Sequence, residues 1–189
     1  MTSDADPIPQ PPPAGLDAIA RSVRAKGPAP VEKWNPPYCG DIGLEIRADG
    51  SWMYQGTPIA RRALVDLFAS VLRKDEDGKT YLVTPAEKVD VKVVDAPFLA
   101  VEMAVSGDGA GQTIAFRTNL DDWVRVGPAN PLRFQGQPPT GGLKPYVLVR
   151  GRLEALVVRA VYLELVALAE AGSGQVSGVW SGGVWWPFA

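Results

Sequence analysis

The spacing of apolar residues changes along the chain, and each change marks an element. From Leu16 to Ala25, Leu16, Ile19, Ala20 and Val23 share one helical face, and Gly27-Pro28 ends it. A Pro-punctuated loop through Trp34, Pro36 and Pro37 follows. Ile42, Leu44 and Ile46 then alternate with polar or small residues, the period of a half-buried strand. Asp49-Gly50 is a hairpin signal, with Trp52 and Tyr54 on the return strand. Thr57-Pro58 reads as a helix start, since Thr can cap and Pro has no N–H to leave unpaired. The predicted helix runs from Ile59 to Arg73, with Ile59, Leu64, Leu67, Phe68 and Leu72 on its apolar stripe.

Strand-like segments follow at Thr80–Val83, Val89–Val94, Phe98–Val105, Thr113–Arg117 and Trp123–Val126. Turn chemistry separates them, and with nothing helical between them antiparallel hairpins are the economical reading. A loop over Gln135–Leu143 precedes a strand at Tyr146–Val149. The stretch Arg152–Ala171 predicts a second helix. Glu154, Arg159 and Glu164 would lie about 140° apart around it, leaving no polar face, so it is expected to be buried and wrapped by sheet. Its charges exclude a membrane span, and Arg159 would need an acceptor nearby. The aromatic run through Trp180, Trp185 and Trp186 predicts a final strand. Tyr54–Leu67 and Tyr146–Leu165 both read as strand, turn and helix, the mark of two related halves. The predicted class is α+β, antiparallel sheets wrapping central helices in two similar halves from an internal duplication. A Pro-rich tail would occupy residues 1–13, an N-terminal half 14–88 and a C-terminal half 89–189, the latter with the long helix and the aromatic strand.

Composition narrows the chemistry. Histidine is absent, which removes Ser-His-Asp and Cys-His nucleophile systems. With Cys39 as the one cysteine, a tetrahedral Cys/His zinc site and an internal disulfide are out as well, and no metal or cofactor is expected. A formal net charge of −2 argues against a nucleic-acid binder. Met1 to Ala14 carries no basic or apolar leader pattern, so a cytoplasmic setting is expected.

Several stretches together resemble a bacterial family, domain of unknown function 1285. They are Cys39-Gly40-Asp41, Asp49 to Arg61, Leu67 to Leu72, Tyr81 to Val89, Asp95-Ala96-Pro97-Phe98, Thr118-Asn119 and Leu153-Glu154-Ala155-Leu156 leading to Arg159. The resemblance implies two similar α+β halves, each with a helix embraced by strands. It implies no established activity and suggests a role in ligand-dependent signalling.

The remaining motifs have structural and functional readings side by side. Gly107–Gly111 looks like a phosphate loop but is followed by a strand, so a hairpin turn is expected. Asp75-Glu76-Asp77-Gly78 lacks the flanking carboxylates of a calcium loop and reads as a turn. Asp121-Asp122 also reads as a turn. Thr84, Glu87 and Lys88 form a polar corner between two strands, and Thr118-Asn119 a second one. Arg61 and Arg159 offer planar forks suited to carboxylate or phosphate, or they pair structurally with Glu87, Glu102 or Glu164. The leading expectation is a ligand-binding or regulatory module. It would hold a small polar or anionic molecule in a groove between the halves, lined by Arg61, Thr84, Glu87, Lys88, Thr118, Asn119 and Arg159. The alternative is an interaction or homodimerisation scaffold using the aromatic C-terminal edge. An enzyme using Glu87 and Lys88 as an acid–base pair is the third reading, and no partner membrane or nucleic acid is expected.

Overall fold

The computed structural model describes residues 29–139, 141–171 and 176–189. The Pro-rich tail and the helix expected at Leu16–Ala25 lie outside them. A single 3-10 turn, Val31–Lys33, leads into the first sheet. That sheet contains β1 (Tyr38–Ile46), β2 (Trp52–Tyr54), β3 (Thr57–Pro58), β4 (Leu72–Lys74), β5 (Thr80–Val83) and β6 (Lys88–Val93). Helix α1 (Arg62–Ser70) connects β3 to β4. The second sheet contains β7 (Phe98–Ser106), β8 (Thr113–Thr118), β9 (Trp123–Arg125), β10 (Leu132–Gln137), β11 (Gly142–Arg150) and β12 (Leu153–Val157). Helix α2 (Arg159–Ala167) follows β12. A third, three-stranded sheet is formed by β13 (Glu170–Ala171), β14 (Ser177–Ser181) and β15 (Val184–Pro187).

The two large sheets have one strand order. The first runs β3-β2-β1-β6-β5-β4 and the second β9-β8-β7-β12-β11-β10, so strands correspond one to one in chain order. In each, the first and last strands pair in parallel at the centre, β1 with β6 and β7 with β12. The remaining ladders are antiparallel. The expected hairpins are antiparallel, whereas the reading of wholly antiparallel sheets fails at the centre of each. The correspondence reaches single residues. Leu72 faces Leu82 and Arg73 faces Tyr81 across β4 and β5, as Leu132 faces Val147 and Arg133 faces Tyr146 across β10 and β11. This pattern agrees with two duplicated halves. The helices do not follow it, because α1 lies after the third strand of its half and α2 after the sixth. The strand–helix match between Tyr54–Leu67 and Tyr146–Leu165 is therefore not the structural repeat.

Several boundaries differ from expectation for local reasons. Thr57-Pro58 is an edge strand on β2, and α1 begins at Arg62, with Arg61 as an N-cap whose side chain makes no capping bond. Val71 and Leu72 leave the helix because the sheet claims them: Val83 N–H donates to Val71 O, and Leu72 pairs with Leu82. Leu153–Val157 is strand, not helix. Leu153, Ala155 and Val157 are buried and alternate with half-buried Glu154 and Leu156, the two-residue period of a pleated strand. The missing polar face came from reading two successive elements as one. The Gln135–Leu143 loop shrinks to a turn between β10 and β11, and the final aromatic segment is a hairpin, β14–β15. Strand β6 lies wholly in the first sheet, so the changeover between sheets falls between Val93 and Phe98.

One apolar core joins the halves. Leu44, Ile46, Phe68 and Leu82 from the first are continuous with Phe98, Phe116, Ile114 and Leu165 from the second. Trp52 packs on Phe68 from α1, and α2 packs on β7. Gly50 marks a close approach between halves. Its φ is +81°, and a Cβ there would lie 2.9 Å from Asn119 Nδ2. Among the described residues no helix is long and apolar enough to cross a membrane.

Candidate functional site

Between the two halves the chain leaves a cavity of about 130 Å³. One wall is β4, with Leu72, Arg73 and Lys74, and the other is the β11–β12 turn, with Arg150, Gly151, Arg152 and Leu153. Ala29, Val31 and Glu32 close it along the 3-10 turn. Each wall follows from its strand. In β4 the two-residue period sends Leu72 to the core, and the strand ends in a basic pair. At the other wall the β11–β12 link turns at Gly151, where φ is +54° and a Cβ would press on Glu32 Oε1 at 3.1 Å. That turn sets Arg150 and Arg152 on either side of a residue with no side chain.

The four cations differ in what they are free to do. Arg73, nine-tenths buried, is fully engaged: Nε donates to Asp75 Oδ1 at 2.5 Å, and Nη1 to Val31 O and Trp34 O at 2.8 and 2.7 Å. Arg152 has an exposed pair with Glu76 at 2.9 Å, which solvent weakens. Lys74 has no partner among the described residues. Arg150 is the unusual one. Its Nη2 donates to Ala69 O at 2.5 Å, capping the carbonyl end of α1, and its guanidinium lies 5.0 Å from the Phe98 ring centre. Its side chain is 25% exposed, yet the Asp122 carboxylate stands 4.0 Å away. Burial depresses its pKa, and Asp122 only partly offsets that. An under-neutralised guanidinium is thus held at the junction of the halves.

Two other polar clusters are closed. Beside the second sheet, Asp95 in the β6–β7 link accepts from Lys144 Nζ at 2.6 Å and from Tyr146 Oη at 2.7 Å. Arg133 covers the Tyr146 ring and grips Glu154 with two bonds. Burial pushes the Asp95 pKa up, but the bonds from Lys144 and Tyr146 outweigh it and leave the carboxyl low. Burial first, then the Asp95 bond, raises the Tyr146 hydroxyl. The first half repeats the scheme. Lys88 reaches Asp75 at 3.2 Å and lies 4.4 Å over the Tyr81 ring, and Tyr81 donates to Asp77. Every strong donor in these clusters already has its acceptor, and among the described residues no buried side-chain N or O lacks a partner.

The residues singled out from the sequence do not line the cavity. Thr84 is buried in the β5–β6 turn, its Oγ accepting the Ala86 and Glu87 N–H groups. Thr118 does the same at the end of β8, accepting from the Leu120 and Asp122 N–H groups. Asn119 Oδ1 accepts from Leu99 N–H, which fastens the start of β7. Lys88 pairs with Asp75, so it forms no acid–base pair with Glu87, which is half-buried and whose carboxylate has no partner among the described residues. Arg61 and Arg159 stand exposed at the first turns of α1 and α2, where the helix dipole disfavours a cation, and neither is paired among the described residues. Arg159 is therefore not a buried residue in need of an acceptor, because the helix that would have buried it is half as long. Glu102 instead pairs with Arg117, and Asp121 with both Arg62 and Arg117. Sequence reasoning missed Arg73, Lys74, Arg150 and Arg152. Arg150-Gly151-Arg152 carries a legible signal, a glycine turn flanked by cations, but the expected helix takes Arg152 as its first residue and leaves Arg150 and Gly151 unread.

The family models settle the relationship. Residues 29–96 match the N-terminal domain of DUF1285, a domain of unknown function, and residues 97–188 match its C-terminal domain. The chain belongs to the DUF1285 family. The join between the two models, at residues 96 and 97, falls in the link between β6 and β7. Among solved structures, a DUF1285 family protein from Silicibacter pomeroyi is 48% identical, with a TM-score of 0.86 over 92% of this chain and 93% of that one. A second, from Shewanella baltica, is 26% identical with a TM-score of 0.52, over 67% of this chain and 91% of that one. No curated protein matches. This DUF1285 chain thus carries the architecture of two similar halves, and its relatives bring no activity with them.

Proposed function

We propose that the chain is a binding module for a small anion, held in the cavity between its halves by Arg150, Lys74 and Arg152. The single observation that carries this is Arg150. It is largely buried, it ties the second half to the end of α1, and among the described residues no carboxylate approaches it closer than 4.0 Å. A phosphoryl or carboxylate group accepting from Arg150 and Lys74 would complete the charge balance that the fold leaves open. The cavity is small, about 130 Å³ against the roughly 300 Å³ or more of a drug-sized pocket. It suits the charged head of a ligand, with the remainder outside. Because Arg150 bridges the halves, an occupant would bear on their packing, which is the arrangement a regulatory domain needs.

The interaction-scaffold reading through the aromatic end has less support. Val179 and Ser181 are fully buried, and Ser181 Oγ joins Ile114 N–H to Val126 O, each at 2.9 Å. Phe188 packs on Phe134. Strand β14 is anchored in the core, and β15 lies half-buried along the edge beyond it.

Calorimetric titration and thermal melts with inorganic phosphate test the proposal. At 100 times its Kd a ligand adds about 2.7 kcal/mol, which is a rise of roughly 5–10 °C for a chain of this size. Phosphate is expected to raise the melt, and Arg150→Gln or Lys74→Met to abolish most of that rise, while Arg133→Gln preserves it. No rise with phosphate, or a rise indifferent to Arg150 and Lys74, overturns the reading.

A further inference from the structure

Helix α2 has an outward face that nothing in the described chain covers. Val161 and Leu165 are buried against the second sheet, whereas Ala160, Leu163, Val166 and Ala167 are exposed, Leu163 at 57%. A large side chain in mid-helix, opposite the buried stripe, exposes apolar surface with no local compensation. Arg159 and Glu164 flank it. They are five residues apart, a spacing at which two side chains on one helix do not meet, and each lacks a partner among the described residues.

The spacing fits a second helix. On a heptad with Arg159 at position g, the exposed Ala160, Leu163 and Ala167 occupy a, d and a, and Glu164 occupies e. The buried Val161 and Leu165 fall at b and f, turned away from the seam. In a parallel helix pair, a g residue meets the e residue five positions on in the other chain. The geometry points to self-association: two copies pair through α2 side by side, about a two-fold axis parallel to the helix. Leu163 meets Leu163 of the other copy, the alanines allow close approach, and Arg159 pairs reciprocally with Glu164. In an antiparallel pair with Leu163 against Leu163, Arg159 would lie opposite Val166 and Glu164 would face Glu164, so the charges select the parallel arrangement. The surface is separate from the anion cavity and does not depend on it. With nine residues, α2 is about 13 Å long, so the seam is short and the dimer weak, with a Kd on the order of tens to hundreds of micromolar.

Sedimentation equilibrium on the full chain, from about 1 µM to 1 mM, reads the result directly. The dimer is expected to build up over that range and to be lost in Leu163→Glu with the melt of the dilute protein unchanged. Arg159→Glu and Glu164→Arg are each expected to be monomeric alone, and an equimolar mixture of the two to associate at least as tightly as the native chain. A monomer at every concentration, a dimer that survives Leu163→Glu, or a mixture no tighter than its components would overturn the proposal. Because the mixture test uses two surface variants, it decides the matter even where Leu163→Glu disturbs folding.

Discussion

Asp95 shows how much one side chain does at the junction of the halves. It sits in the link between β6 and β7 and holds both Lys144 and Tyr146 of β11. Tyr146 is almost fully buried, so its hydroxyl has no water to turn to if the carboxylate goes. Asp95→Ala is expected to cost about 2 kcal/mol at neutral pH, by denaturant titration. The pH dependence follows from the sign of the shift. The Asp95 pKa is lowered by folding, so its contribution is complete above the unfolded value of about 4 and fades as pH falls through the lower, folded one. The gap between native and Asp95→Ala stabilities should therefore narrow in acid. A gap that stays constant from neutral pH to about pH 2 would mean the carboxylate charge is not what matters. None of these partners was legible in the chain. Period reveals which face a residue takes, but Asp95 and Lys144 are 49 residues apart and meet only through sheet order.

At the scale of elements, legibility depended on whether turn chemistry separated one period from the next. The sequence pattern predicts Thr80–Val83 with its observed ends, because Gly78 and Thr84-Pro85 isolate it. The β12–α2 boundary was lost because Val157-Val158 runs from strand into helix with no glycine, proline or cap between, and Val158 makes no side-chain cap. The same blending hid the end of α1, where Val71 passes directly into β4. Burial in α2 yields a sharp contrast. Leu165 is fully buried, and Leu165→Ala is expected to cost about 2–5 kcal/mol. Leu163→Ala, measured at a concentration where the chain is monomeric, should stay within roughly 0.5 kcal/mol. Comparable losses at the two positions would show α2 wrapped on all sides, as the continuous-helix reading required.

For the whole molecule, the two-half plan was legible in outline and its basis was not. The repeat resides in strand order and in cross-strand pairs such as Arg73–Tyr81 and Arg133–Tyr146, which periodicity along one strand cannot display. The shared core and the ties from Arg150 to Ala69, Arg62 to Asp121 and Arg152 to Glu76 make the halves one cooperative unit. A single calorimetric transition is expected, with calorimetric and van't Hoff enthalpies equal; two resolved transitions would show that the halves unfold separately. The parallel pairing at each sheet's centre also bears on how the chain is made. Hairpins on either side of the central seam, β1–β2 and β4–β5, involve near neighbours and can form as soon as they leave the ribosome. The central seam joins Leu44 to Val91 and waits for the last strand of its half. Each sheet is therefore built from its margins and closed in the middle, by a loop-closing step of high contact order that is expected to set the pace of folding.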